Sequence, residues 1–289
     1  MAMIKKGTGI AFLVPGLAFL LIMGIFPLIW SLTLAFSKWK AATGVGKTFV
    51  GLDNFINIIT DDPRFWNSLR FTVLYVMVVV LLELVLGLML AYILTEKMRF
   101  RNFFRILFLL PMAAPAIGVA FIWRMLLNPE AGIVSKIMAA FSINIPGLLT
   151  NASTAPYMLM IIDVWEWTPF MFMGLLAAMQ AFPPELYDAA AVDGASGWKT
   201  FWYITLPLLQ PIIITLSLLR VIDSFKLFEI VFGVTSGGPG SSTESLSFYT
   251  YTVGFSYFNL GYACALSWVF LVIILAISNV VLNRFRKEA

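Results

Sequence analysis

The sequence predicts an all-α integral membrane protein with six transmembrane helices. Three observations lead there. Of its 289 residues, 61% are hydrophobic and only 12% are charged, with a mean hydropathy of +0.92. A soluble domain carries about 25% charged residues, so this chain could not cover its own surface in water. Apolar runs long enough to cross ~30 Å of hydrocarbon recur at about 9–36, 70–95, 103–127, 155–180, 204–226 and 259–283. Basic residues cluster beside these runs, where orientation signals belong.

The first run follows Lys5 and Lys6, which imitate the charged start of a signal peptide. The run is too long for a signal and no small-residue cleavage site follows, so it is expected to be a retained helix. With a cytoplasmic N-terminus, the inside positions hold Lys5, Lys6, Lys97, Arg99, Arg101, Arg105, Lys199, Arg284, Arg286 and Lys287. The outer loops hold Lys38, Lys40, Lys47, Arg64 and Lys136, with Arg70 and Lys226 near outer span ends. The inside excess places both termini in the cytoplasm. Trp39, Trp66 and Trp202 lie near span ends, as interfacial tryptophans do.

Prolines fall within the runs at Pro15, Pro27, Pro111, Pro115 and Pro169. Each removes a backbone hydrogen bond and bends or interrupts a helix. In a membrane they shape packing, or break helices around a path where a wet cavity satisfies the freed carbonyl. At Pro169 both readings stand. The loops at about 37–69 and 128–154 are too short for a soluble domain. The organisation expected is one transmembrane domain over residues 1–289.

Several chemistries are excluded. There is no histidine, which removes Ser-His-Asp and Cys-His catalysis and histidine metal sites. The single cysteine, Cys264, lies in an apolar run and reads as a small hydrophobe. Net charge +4 and a pI near 9.2 do not indicate nucleic acid, because the bases flank spans. Residues 41–48, Ala-Ala-Thr-Gly-Val-Gly-Lys-Thr, imitate a phosphate-binding loop. Such a loop works between a strand and a helix, and here it follows a span, in an outer loop. Gly237-Gly238-Pro239-Gly240 reads as an outer turn.

The informative segment is the loop at about 183–203 and its continuation to Pro211. Pro183 and Pro184 end the preceding span. Residues 185–193 favour a short helix, with Glu185 and Asp188 near its N-terminus, where the helix dipole favours anions. Gly194 ends it. A short amphipathic helix exposed to the cytoplasm suits docking into a partner's groove; an ordinary interfacial loop helix would have the same composition.

This segment resembles the EAA loop of ABC importer permeases. The family pattern is E-A-A, three residues, G, nine residues, I-x-L-P. The chain has Asp188-Ala189-Ala190, Gly194, Ile204 and Leu206-Pro207 at those spacings. Asp188 departs from the usual glutamate: it keeps the charge with one methylene less reach. Trp165 to Phe170, Ser236-Gly237-Gly238-Pro239 with Thr243, Leu246, Tyr249, Tyr251 and Phe255, and residues 49–55 resemble the sugar-permease branch (maltose, trehalose and glycerol-phosphate importers). The likeness covers nearly the whole chain.

The resemblance implies the type I ABC importer permease fold and a transport subunit that is not itself an enzyme. It implies a second homologous permease subunit, two ATP-binding subunits that carry ATP and magnesium, an extracytoplasmic solute-binding protein, and the inner membrane of a bacterium or archaeon. No cofactor, metal or nucleic acid is expected on this chain. The ATPase-coupling residues implied are Glu185, Asp188, Ala189, Ala190, Asp193, Gly194, Leu206 and Pro207. Spans four and five would contribute to the substrate cavity.

Charges inside a membrane are expensive and tend to face a cavity or a partner. They are Glu83, Arg124, Asp163, Glu166, Arg220, Asp223 and Lys226. Trp165, Glu166, Trp167 and Phe170 supply aromatic faces and an acceptor suited to a sugar. Arg220, Asp223, Ser224 and Leu227 complete the expected pathway set. Arg220 and Asp223, at i and i+3, can equally form a structural ion pair. Glu83 and Arg124 can pair between helices, or Arg124 can snorkel to the interface.

The expected substrate is a disaccharide, oligosaccharide or related polyol, with glycerol 3-phosphate or its diesters as the alternative. Two other classes compete. An intramembrane transferase needs an acid/base or metal cluster, and Asp163 with Glu166 is the only close acidic pair within a span. A stand-alone secondary transporter would use intramembrane carboxylates and would not need the EAA-like loop.

Overall fold

The computed structural model describes residues 6–44, 46–95, 100–141 and 147–285. Lys5, Lys97, Arg99, Arg286 and Lys287, expected on the inner side, lie outside the described residues. Along the chain, helix α1 spans Phe12–Ala35. A hairpin pairs β1 (Ser37–Lys38) with β2 (Thr48–Phe49). Then come α2 (Asp53–Thr60), α3 (Pro63–Thr95), α4 (Arg101–Ala113), α5 (Ala116–Leu126) and α6 (Ile133–Ala140). They are followed by α7 (Ala155–Ala181), α8 (Pro184–Val192), α9 (Gly197–Phe225), α10 (Leu246–Tyr251) and α11 (Leu260–Phe285).

Among the described residues, five helices are long and apolar enough to cross a membrane, and α4 with α5 makes a sixth span if the bent pair crosses as one. The sequence places the third span over 103–127 as one helix. Instead it breaks at Ala114, and the axis turns by 93°. The cause is local. Ala114 takes an extended conformation (φ −85°, ψ 147°), the region favoured before a proline, and Pro115 has no N–H to continue the ladder. Helix α7 runs unbroken through Pro169. The broken-helix reading therefore belongs to Pro115 and not to Pro169.

One compact unit comprises residues up to Pro63 together with Thr250–Ile273. Within it the stretch read as a nucleotide-loop imitation is a short 3-10 turn over Ala41–Thr43 leading to β2, with no strand–loop–helix geometry. Asn54 of α2 donates to Ala35 O (2.8 Å) and Ser37 O (3.0 Å), so a buried amide ties α2 to the end of α1. The hairpin is held by Ala41 N to Phe258 O (2.9 Å) and Gly261 N to Trp39 O (3.2 Å). A Cβ at Gly261 would collide with the Ser37 carbonyl, so this approach requires glycine.

The second unit holds Arg64–Tyr249 and Ile274–Ala289. Its core centres on α7, against which α3, α4 and α9 pack. Ala91 and Leu94 of α3 meet Phe172, Leu175 and Met179 of α7 and Leu209 of α9 in one buried cluster. Small residues let the helices approach, as they do where lipid supplies no hydrophobic drive between helices. A Cβ at Gly87 would lie 2.6 Å from Met171 Cβ and 2.9 Å from Phe172 N. Gly174 likewise accommodates Leu216.

The loop after α9 closes onto the first turns of α3. Arg64 donates from Nε and Nη2 to both oxygens of Glu244 at 2.6 Å each. Asn67 donates to Ser241 O (3.0 Å), and Leu246 N donates to Thr72 Oγ1 (3.0 Å). Glu244 is buried although it sits in a loop.

Candidate functional site

Helix α8 forms where Pro183 and Pro184 interrupt the chain and the good helix formers Glu185, Leu186 and Ala189 to Ala191 follow. Pro184 occupies a first-turn position, where its missing N–H costs nothing, and Glu185 sits in that turn. The end is a Schellman motif: Ala195 N donates to Ala190 O (2.9 Å), Gly194 N donates to Ala191 O (3.1 Å), and Gly194 has φ +70°. Glu185, Asp188, Ala189, Asp193 and Gly194 are exposed. Ala190 is buried and anchors the inner face. The hydroxyls of Tyr187 and Thr205 lie 3.3 Å apart and join α8 to the base of α9.

Leu206 and Pro207, expected to act with Asp188, begin the long α-helical part of α9 directly after Thr205. They line an apolar groove of about 530 Å³ with Leu84, Gln210 and Ile213. Val192, Trp198 and Tyr203 are exposed apolar side chains along 183–203, and sequence reading gave them no role. Their signal was present as large apolar residues in a loop expected to face the cytoplasm.

Four of the charged residues of the spans, Glu83, Asp163, Arg220 and Asp223, converge at one point. Arg220 of α9 donates from Nε to Glu83 Oε2 (2.8 Å) and from Nη2 to Glu83 Oε1 (2.9 Å). Nη2 also reaches Asp163 Oδ2 (2.9 Å), and Nη1 reaches Asp223 Oδ2 (3.1 Å). Three helices, α3, α7 and α9, are thus tied by one guanidinium. The Trp167 ring stacks on it, with Arg220 Cζ 4.7 Å from the ring centre. Glu83 therefore pairs with Arg220 and not with Arg124, whose Nη1 lies 3.5 Å from Gly233 O. The i, i+3 pair of Arg220 and Asp223 exists as one arm of this cluster. Tyr75, also missed, is buried beside Asp163 and donates to Leu159 O (3.3 Å).

A cavity of about 200 Å³ opens on the cluster. Asp163 and Trp167 reach it from α7; Arg220, Asp223 and Ser224 reach it from α9. Leu227, Lys226 and Glu229 follow from the chain after α9, and Ala116 arrives at the start of α5. The break at Ala114–Pro115 brings that helix start to the cavity. Ser224 Oγ is buried and has no hydrogen-bond partner among the described residues.

The expected aromatic face divides. Asp163, Trp167 and Phe170 follow helical spacing, with Glu166 beside them on the same stripe of α7. Glu166 is buried, and its Oε2 has no partner. Trp165 points to the opposite stripe, edge-on to Trp123 (ring centres 5.6 Å apart), and lines a separate apolar cavity of about 970 Å³ with Tyr157 and Pro169. Trp165 and Trp167 therefore do not share a face, because helical positions two apart diverge by ~200°. Phe170 lines neither cavity.

Residues 83–287 match the family described as binding-protein-dependent transport system inner membrane component. The chain belongs to this family. It is 38% identical to the trehalose/maltose transport system permease protein MalF of Thermococcus litoralis, over 84% of this chain and 82% of the relative. It is 33% identical to the sn-glycerol-3-phosphate transport system permease protein UgpA of Agrobacterium fabrum, over 86% of this chain and 88% of the relative. A crystal structure of a bacterial ABC transporter involved in import of the acidic polysaccharide alginate superposes with a TM-score of 0.85 at 23% identity, covering 96% of this chain and 94% of that one. At that identity the likeness establishes the fold. This family member is a multi-pass inner-membrane permease subunit of an ABC transport system, with the helical importer-permease fold.

Proposed function

We propose that this permease forms half of a sugar translocation pathway and is driven through α8 by a cytoplasmic ATPase. The observation that carries the reading is the link from α8 to Arg220 along α9. Helix α8 exposes Glu185, Asp188 and Ala189 and is tethered to Thr205. From Thr205 to Arg220, α9 runs about 22 Å at 1.5 Å per residue. A displacement of α8 is thereby passed to the helix that carries Arg220, Asp223 and Ser224. Glu185, Asp188, Asp193 and Gly194 are the docking set. Trp167, Arg220, Asp223, Ser224 and Leu227 are the pathway set.

In this reading the working assembly holds a second homologous permease, two ATP-binding subunits and an extracytoplasmic solute-binding protein. ATP and magnesium belong to the ATP-binding subunits, and both termini of this chain are cytoplasmic. The trehalose/maltose relative supports a neutral saccharide. A phosphorylated polyol is the second reading, supported by the glycerol-3-phosphate relative. Affinity purification of the tagged chain from its native membrane tests the assembly. An ATPase and a second permease should co-purify stoichiometrically. Transport by the chain reconstituted alone would overturn the reading in favour of a stand-alone transporter.

A further inference from the structure

The cavity at Arg220 has a charge balance that bears on which substrates it accepts. A phosphate or a carboxylate is held best by the planar fork of a guanidinium. Here the fork is already taken. Nε and Nη2 of Arg220 are engaged by both oxygens of Glu83, Nη2 also by Asp163, and Nη1 by Asp223. Trp167 covers a ring face. Four of the guanidinium's five N–H groups are engaged, so an incoming anion finds no free bidentate fork unless it displaces a carboxylate.

The remaining charges point the same way. Asp163, Asp223 and Glu229 line the cavity, and Glu83 lies behind Arg220; the cations are Arg220 and Lys226. Four carboxylates face two cations. Lys226 is exposed, so its charge is largely solvated and screened. Asp223 is reachable: its side chain is 48% exposed, against 2% for Arg220. Carboxylates only accept hydrogen bonds, so the walls ask for a ligand rich in donors. Ser224 Oγ, buried at the wall without a partner, is a second, independent sign of a missing polar ligand, since buried hydroxyls are normally satisfied.

We infer that this cavity is a subsite for an uncharged or amine-bearing polyhydroxyl unit, such as one sugar ring, and that it selects against phosphorylated and uronic-acid groups. Its volume of about 200 Å³ lies below the ~300–1,000 Å³ that buries a drug-sized ligand, so it engages one unit of a longer saccharide. The inference rests on the permease reading and narrows its substrate class.

The test is equilibrium binding to the purified transporter complex in nanodiscs without its solute-binding protein. The probes are methyl glucoside, glucosamine, glucuronate and glucose 6-phosphate. Methyl glucoside and glucosamine should bind at least about tenfold more tightly than the two anions, a difference of about 1.4 kcal/mol. Asp223→Asn should raise the anion-to-neutral affinity ratio several-fold, and Glu229→Gln, an exposed change, should move it in the same direction. Ser224→Ala should weaken the neutral probe. Glucuronate binding as tightly as methyl glucoside, or ratios unmoved in both charge variants, overturns the selectivity. Absence of binding by every probe overturns the subsite itself. Loss of co-purifying ATPase would instead be failure of the permease reading, so the two failures are distinct.

Discussion

Arg220 and Glu83 stand 137 positions apart and meet in a bidentate ion pair at 2.8 and 2.9 Å, with both side chains buried. Burying such a pair is rarely a net source of stability, but removing one partner leaves an uncompensated charge. Here the orphaned charges would be Glu83 and Asp163 together.

Arg220→Ala should therefore destabilise the protein by about 3–5 kcal/mol. The thermal unfolding midpoint of the detergent-purified complex measures this. Asp223→Asn should cost far less, because Asp223 is half exposed and can be hydrated. Equal losses in the two variants would contradict the assignment of Glu83 and Asp163 as the buried anchors.

Gly87 should tolerate no side chain. Its absent Cβ leaves room for Met171 and for the Phe172 backbone. Gly87→Ala should cost about 1–3 kcal/mol through overpacking, and Gly87→Leu should prevent accumulation in the membrane. Expression level and thermal unfolding report both. An Ala variant as stable as the parent would refute the close approach of α3 and α7.

Glu166 carries a buried carboxylate oxygen without a partner. Leaving such a group unsatisfied costs about 1–3 kcal/mol, so Glu166→Leu should raise the unfolding midpoint. If Glu166 is the pathway acceptor expected from the sequence, its loss should also weaken uptake while the ATPase remains bound. A stability gain with normal uptake would remove Glu166 from the pathway.

Arg64→Ala should loosen the loop around Glu244. Glu244 would stay buried with its bidentate partner gone. Hydrogen exchange should rise across residues 236–246 and stay unchanged in α7. Uniform protection would show that Asn67 and Thr72 hold the loop without Arg64.

What was legible in the sequence follows from what kind of signal each feature leaves. The spans are written in composition, so α1, α3, α7, α9 and α11 fall close to the runs read from hydropathy. Helix α8 was legible because Pro183, Pro184 and Gly194 act locally. Hydropathy cannot see the 93° break, since Ala114 and Pro115 keep the run apolar. Proline alone does not mark the break either, since Pro15, Pro111 and Pro169 all lie inside continuous helices. Partner choice among charges was illegible as well. Spacing shows that Glu83, Asp163 and Arg220 lie in spans, but their meeting depends on the packing of three helices. The separation of Trp165 from Trp167 was available from helical periodicity, while Val192, Trp198 and Tyr203 gained meaning only once their own side chains were seen exposed.

The most direct test of the central claim is ATP-dependent sugar uptake by proteoliposomes holding the complete complex, with Asp188 intact or changed to Lys. Charge reversal on a docking face costs about 2–5 kcal/mol. The Asp188→Lys chain should insert normally, and uptake should fall by at least about tenfold, with ATPase activity no longer following substrate. Full uptake by the variant, or uptake by either chain without ATP, would contradict an ATPase-driven permease coupled through α8.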